Sequence, residues 1–277
     1  MKKALFTRSI FSSLGILTAL FIILSGCNTA QQKKDETKES TDVKSTKETV
    51  IEELSGYPIP SSFELTELIY ESGAPYILSL ANEPEKAGDY ITQKDKALSL
   101  GVYGADLCYA STYMMRQRTM LFLEASKTLI NELGISTPFN INYAERIESN
   151  LDKRDSLISI VSESIYDTWD YLIGNKQDVL ARLVACGSWI EGIYITANIA
   201  QTSIDPTEIL EILAKQKNSL NKIVVMLEPV KDIDDVTIVF KGLFDLQNIY
   251  EDVGDALTPD QLDKVSKRIT TLRTAII

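Results

Sequence analysis

Lys176 to Gln201, KQDVLARLVACGSWIEGIYITANIAQ, is the stretch whose reading decides the fold. Val179, Leu183, Trp189, Ile190, Ile193 and Ile199 put apolar side chains on most sides of a helix. A helix with one apolar stripe lies at a surface, whereas one apolar nearly all round must be covered by other elements. This one is too polar to span a membrane, so its cover must be protein. It is read as the central helix of an all-α body.

Working toward the C-terminus, Asp205 and Pro206 open a helix that runs to about Leu227, before Pro229. Asp232 to Asp235 opens the next, through Phe240 and Leu246 to Gly254. Thr258 and Pro259 start the last, through Leu262, Ile269 and Leu272 to the end of the chain. Toward the N-terminus, an apolar stripe from Ile147 to Leu172 is capped by Asn142, interrupted at Arg154 and Asp155, and ended by Gly174 and Asn175. From Thr92 to Leu133 only Gly101 and Gly104 break the helical spacing, and Gly134 and Pro138 mark the stop. That span is either one helix of about 60 Å at 1.5 Å per residue or two helices bent at the glycines. Ser61 or Ser62 caps a helix over Leu65 and Ile69 that Gly73 ends; Pro75 restarts a short helix through Leu80, and Asn82 to Gly88 is a loop. Thr237-Ile238-Val239 lies within a helical stripe and is read as helix. Seven or eight helices and no strand predict an antiparallel helical bundle over residues 57–277, entered at Tyr57-Pro58-Ile59-Pro60.

Upstream of that body the composition changes twice. Lys2, Lys3 and Arg8 precede a mostly apolar run, Ile10 to Ile23, shorter than the roughly 18 residues of a spanning helix. The run ends at Leu24-Ser25-Gly26-Cys27, which resembles a lipobox, the processing site of bacterial lipoproteins. The resemblance implies a signal peptide over 1–26 and an acylated Cys27 as mature N-terminus. At roughly 0.8 kcal/mol per buried CH₂, two or three acyl chains hold a protein to a membrane where one does not. Residues 28–50 carry five Lys against five Asp or Glu and almost nothing apolar, so 27–56 is expected to be a disordered linker. Within it, Lys34-Asp35-Glu36 resembles the signal that sends lipoproteins of Bacteroidota to the outer face of the outer membrane, although it stands farther from Cys27 than that signal does; a generic solvated linker is the other reading.

Charge narrows the partners. The whole chain carries −11, and removal of three basic leader residues leaves −14, all of it on 51–277 with 34 acidic and 20 basic side chains. Nucleic acid and anionic headgroups are therefore poor partners for the domain. Attachment to the membrane through the N-terminal lipid, at the outer membrane on its periplasmic face or at the cell surface, is the expectation. Cys108 and Cys186 fall inside predicted helices without a Cys-x-x-Cys pattern and are read as small buried hydrophobes.

Two passages stand out. Gly101-Val102-Tyr103-Gly104-Ala105-Asp106-Leu107-Cys108-Tyr109-Ala110 and Gly187-Ser188-Trp189-Ile190-Glu191-Gly192-Ile193-Tyr194 mix glycine, aromatics and one acid inside apolar helices. Glycine costs about 1 kcal/mol relative to alanine in a helix interior, so something must offset it. One reading is close helix–helix approach at the glycines. The other is a ligand cleft in which Asp106 and Glu191 are surrounded by Tyr103, Tyr109, Trp189 and Tyr194. Both passages resemble segments of uncharacterised helical lipoproteins of Bacteroidota. That likeness implies a helical fold and an envelope location, and no activity.

Catalytic signatures are sparse. With no histidine there is no Ser-His-Asp or Cys-His nucleophile and no histidine-bound zinc, and no glycine loop cradles a phosphate. Asp232-Ile233-Asp234-Asp235 lacks the glycine and the twelfth-position Glu of a calcium loop, so neither metal nor cofactor is expected. Two functions remain: a lipid-anchored binding or interaction module for a protein or small molecule, or a carboxylate-dependent enzyme such as a glycan hydrolase using Asp106 and Glu191.

Overall fold

The computed structural model describes residues 62–135 and 137–277. The leader, Cys27, the linker with Lys34-Asp35-Glu36 and the Tyr57-Pro58-Ile59-Pro60 entrance lie outside the described residues. Nine α-helices follow one another there: α1 Ser62–Glu71, α2 Gln93–Thr112, α3 Arg116–Glu132, α4 Thr137–Glu148, α5 Arg154–Gly174, α6 Asp178–Thr202, α7 Thr207–Leu227, α8 Asp234–Tyr250 and α9 Pro259–Ile276. Three short 3₁₀ turns, Leu78–Leu80, Pro84–Gly88 and Glu228–Val230, join them, and no strand occurs among the described residues. The chain is an all-α helical bundle.

Helix α6 is the axis, as its all-round apolar sequence requires. Leu183, Ile190, Ile193, Ile195 and Ile199 have no exposed surface. The expectation that this stretch is too polar to span a membrane is not met, since α6 is long and apolar enough by length and composition, but here α1, α2, α5, α7 and α9 cover it. Helix α9 begins with a capping box in which Thr258 accepts from the Gln261 N–H and the Gln261 side chain accepts from the Thr258 N–H. Its apolar stripe, Leu262, Val265, Ile269 and Leu272, faces the bundle.

Several boundaries differ from the sequence reading. The span from Thr92 to Leu133 is two helices, but the break falls at Tyr113 to Met115 and not at the glycines. Met114 takes a left-handed φ of 56°, and the Met115 N–H returns to the Ala110 carbonyl at 2.9 Å, closing α2 as a glycine would. Both glycines stay inside α2, and packing against α6 uses Gly101. Thr92, where the sequence reading began the span, caps α2 by accepting from the Asp95 N–H. Asn142 lies within α4 and does not cap it, while Pro138 is that helix's second residue and not a stop. The stripe from Ile147 to Leu172 is divided between α4 and α5, which raises the helix count above seven or eight. Pro75 starts no helix: Ile77 is extended, and a 3₁₀ turn replaces the loop at 84–88.

Candidate functional site

The two glycine-rich passages meet. A Cβ on Gly101 would lie 2.1 Å from the Val184 carbonyl oxygen, and a Cβ on Gly187 would lie 2.1 Å from that of Leu98. Real Cβ atoms do not come that close to backbone, so α2 and α6 cross with their main chains in contact and each needs the other's glycine. This contact offsets the helix-propensity cost at both positions. Gly104 is different, because a Cβ there meets nothing within 4 Å.

One face of α2 holds an irregular strap, residues 74–83, running antiparallel to it. The Tyr113 hydroxyl donates to the Ala74 carbonyl at 2.7 Å, and Tyr109 accepts from the Ile77 N–H at 2.7 Å. Asp106 Oδ2 accepts from the Asn82 N–H at 3.0 Å, and Tyr103 donates to the Glu83 carbonyl at 2.7 Å. Buried main-chain groups outside regular structure must find partners, and here side chains spaced three or four apart on a helix supply them. Burial pushes the Tyr103 and Tyr109 phenols well above their usual range, so both are neutral hydroxyls.

Behind this strap the two acids touch. Asp106 and Glu191 both have 0% exposure, and each carboxyl shifts the pKa of the other. The Arg273 guanidinium of α9 grips Glu191 with both arms, Nε to Oε2 at 2.5 Å and Nη2 to Oε1 at 2.9 Å, and lies 4.3 Å from the centre of the Tyr194 ring. Burial first, and then the Glu191 charge, hold the Asp106 carboxyl well above the carboxylate range. Its Oδ1 makes no hydrogen bond. Burial raises Glu191 too, but Arg273 opposes that shift, so the shared charge rests on Glu191. The cluster is thus two buried carboxyl groups, both raised by burial and Asp106 the more so, with a guanidinium paired to Glu191. It joins the strap, α2, α6 and α9 in one buried polar chain.

Of the six residues read as a ligand cleft, Tyr103, Asp106, Tyr109, Trp189 and Glu191 are buried, and Tyr194 is half-buried beneath Arg273. The structure brings Asp106 and Glu191 together as that reading required. The place beside Asp106 is filled, however, by the protein's own strap and by Arg273. The carboxyls neither stand far apart nor flank an opening.

The opening is on the other side of α2. Gly104 lies two residues, roughly 200°, around the helix from Asp106. Residues at i, i+4 and i+7 from Leu100 to Leu107 on α2 line a slot with matching stripes from Leu123 to Ile130 on α3 and Val161 to Thr168 on α5. Tyr143 and Ile147 of α4 and Val184 and Ser188 of α6 complete it. The slot holds about 680 Å³ of non-atom space, including space open to solvent, around an internal void of about 70 Å³. Its wall is mostly apolar, with Lys127 the one charged residue among the described residues that line it. Ser126 is 6% exposed, and its hydroxyl has no hydrogen-bond partner. The sequence reading missed these residues. Their only sequence signal is the i, i+3, i+4, i+7 recurrence of small and apolar side chains on three helices at once.

Cys108 and Cys186 are buried and not in a disulfide. Burial raises the Cys186 thiol well above its usual range. Among the described residues no three Asp, Glu, Cys or His side chains converge to hold a metal ion. No protein-family model, curated protein or solved structure matches this chain.

Proposed function

We propose that this chain is an envelope lipoprotein, acylated at Cys27 and held at the outer membrane, whose helical domain binds a small apolar ligand. One observation carries the binding half of this reading: the slot beside Gly104, apolar in its walls, on a helix whose other glycine, Gly101, is closed by the main chain of α6. A concave apolar site with a few placed polar groups is the usual form of a small-molecule site. The lipobox-like Leu24-Ser25-Gly26-Cys27 supports the membrane half, and the acidic domain favours attachment by lipid over adhesion of the body.

The alternative is a carboxylate-dependent glycan hydrolase. Such enzymes hold their acids ~5–5.5 Å or ~6.5–9.5 Å apart with sugar or water between. Asp106 and Glu191 are instead sealed and committed to Asn82 and Arg273, so no specific observation favours it. The binding reading is tested by titrating the purified protein with a polarity-sensitive apolar fluorophore, alongside a variant with Gly104 replaced by Leu. Saturable binding that the substitution removes is expected. Fluorescence unaffected by the substitution would reject the slot as the site.

A further inference from the structure

The strap over α2 is fastened in a way that one titrating group can undo. It leaves α1 at Gly73, where a φ of 78° turns the chain, and Leu78 and Ser79 on it are exposed to solvent. Its own main chain supplies one turn, in which the Leu80 N–H returns to the Ile77 carbonyl at 3.2 Å. The other fastenings come from α2: the phenols of Tyr103, Tyr109 and Tyr113 and the carboxyl of Asp106. Burial pushes Tyr113 up to about 12 and the other two phenols higher still, so three of these four groups keep their protons across the ordinary pH range.

Around the fourth, charge can be counted. Glu191 of α6 and Arg273 of α9 lie behind Asp106, and Arg273 already grips Glu191 with both arms. Tyr76 faces Asp106 from the strap, with Arg118 of α3 beside Tyr76. The charged pair of α1 and α5, Glu67 and Arg154, sits at the far end of α2, where Arg154 donates to the Thr112 carbonyl. Two carboxyls at 0% exposure thus share one paired guanidinium. While Asp106 holds its proton the charges balance. Once it ionises, a second negative charge is buried beside the first. The Asn82 N–H favours that charge, but a single neutral donor offsets only part of the removal from water and the nearness of Glu191. Of the elements around Asp106, α3, α6 and α9 are packed helices and the strap is not, so the strap is the one that yields to hydrate it.

We infer that the strap is a pH-gated cover: it lies closed on α2 while Asp106 is protonated and lifts when Asp106 ionises, presenting Tyr103, Asp106, Tyr109 and Tyr113 to solvent. The sign is definite. The closed strap holds Asp106 above its exposed value of about 3.9, so closure is full below that pH and weakens by up to about tenfold per pH unit as pH rises toward the closed-state pKa. The gate is independent of the slot, which lies on the other side of α2.

Amide hydrogen exchange on the purified full chain tests this, with each rate divided by the intrinsic rate at that pH. Protection over 74–83 should fall by up to about tenfold per pH unit above about pH 4. Exchange in α6 should be slower and more strongly accelerated by about 1 M urea, since lifting the strap exposes little surface. Asp106→Asn should flatten the pH dependence over 74–83. Glu191→Gln should flatten it by another route, because one carboxylate then faces one guanidinium; it serves as the test if the first variant does not fold. Protection over 74–83 that ignores pH in the parent, or falls equally in both variants, would overturn the gate. So would strap amides that share the rates and the urea response of α6, because strap and bundle would then open as one unit.

Discussion

Arg273 is the residue on which the buried cluster depends. It supplies the charge that keeps Glu191 ionised at 0% exposure. Removing one partner of a buried ion pair typically costs about 3–5 kcal/mol, because the other charge is stranded. Arg273→Met should therefore destabilise by that amount in denaturant melts, and adding Glu191→Gln should recover part of the loss. A single-variant loss below about 1 kcal/mol would mean the pair is hydrated, not sealed. Asp106 makes a separate prediction with a definite sign. Its folded pKa lies above the unfolded value of about 3.9, so its contribution is full below that value and lost as pH rises through the folded pKa. Asn in its place can still accept from the Asn82 N–H and can donate to Glu191 without a titrating proton. Asp106→Asn should be at least as stable as the parent at neutral pH. The stability difference between the two should change by up to about 1.4 kcal/mol per pH unit within that window and stay flat below it. A difference independent of pH would show that Asp106 is not the protonated partner.

At the scale of elements, the α2–α6 crossing and the α2–α3 break are two outcomes of one competition. Helix α2 keeps Gly101 because the Val184 carbonyl occupies the space of a Cβ, and α6 keeps Gly187 because the Leu98 carbonyl does the same. The chain then turns at Met114, where a left-handed residue closes the helix in the absence of glycine. Gly101→Ala and Gly187→Ala should each cost about 2–3 kcal/mol or more, since backbone cannot yield as a side chain does. Gly104→Ala, in open space on the same helix, should gain up to about 1 kcal/mol from helix propensity. Thermal melts of the three variants decide this, and a uniform response would refute the asymmetry.

For the whole molecule, the proposed acylation at Cys27 makes a fractionation prediction. Cys27→Ala should move the protein from the membrane pellet to the soluble fraction on cell fractionation. Protease added to intact cells then assigns the face: release of the domain marks the surface, and protection marks the periplasm. A Cys27→Ala chain that stays in the pellet would show that acylation is not the anchor.

The helical class, the central place of Lys176 to Gln201 and the caps at Thr258 and Gly73 could be read from the chain, because periodicity and capping are local properties. So could the special character of Asp106 and Glu191, since an acid in an apolar helix must be answered by something. The answer itself was not local. Arg273 lies 82 residues from Glu191, and the strap from Ala74 to Glu83 reaches Asp106 only once α2 has packed. Tertiary contact decided that the acids face inward on each other, and that the open face of Gly104 borders a slot. Shape and proton sharing arise between elements, where spacing along one chain carries no information.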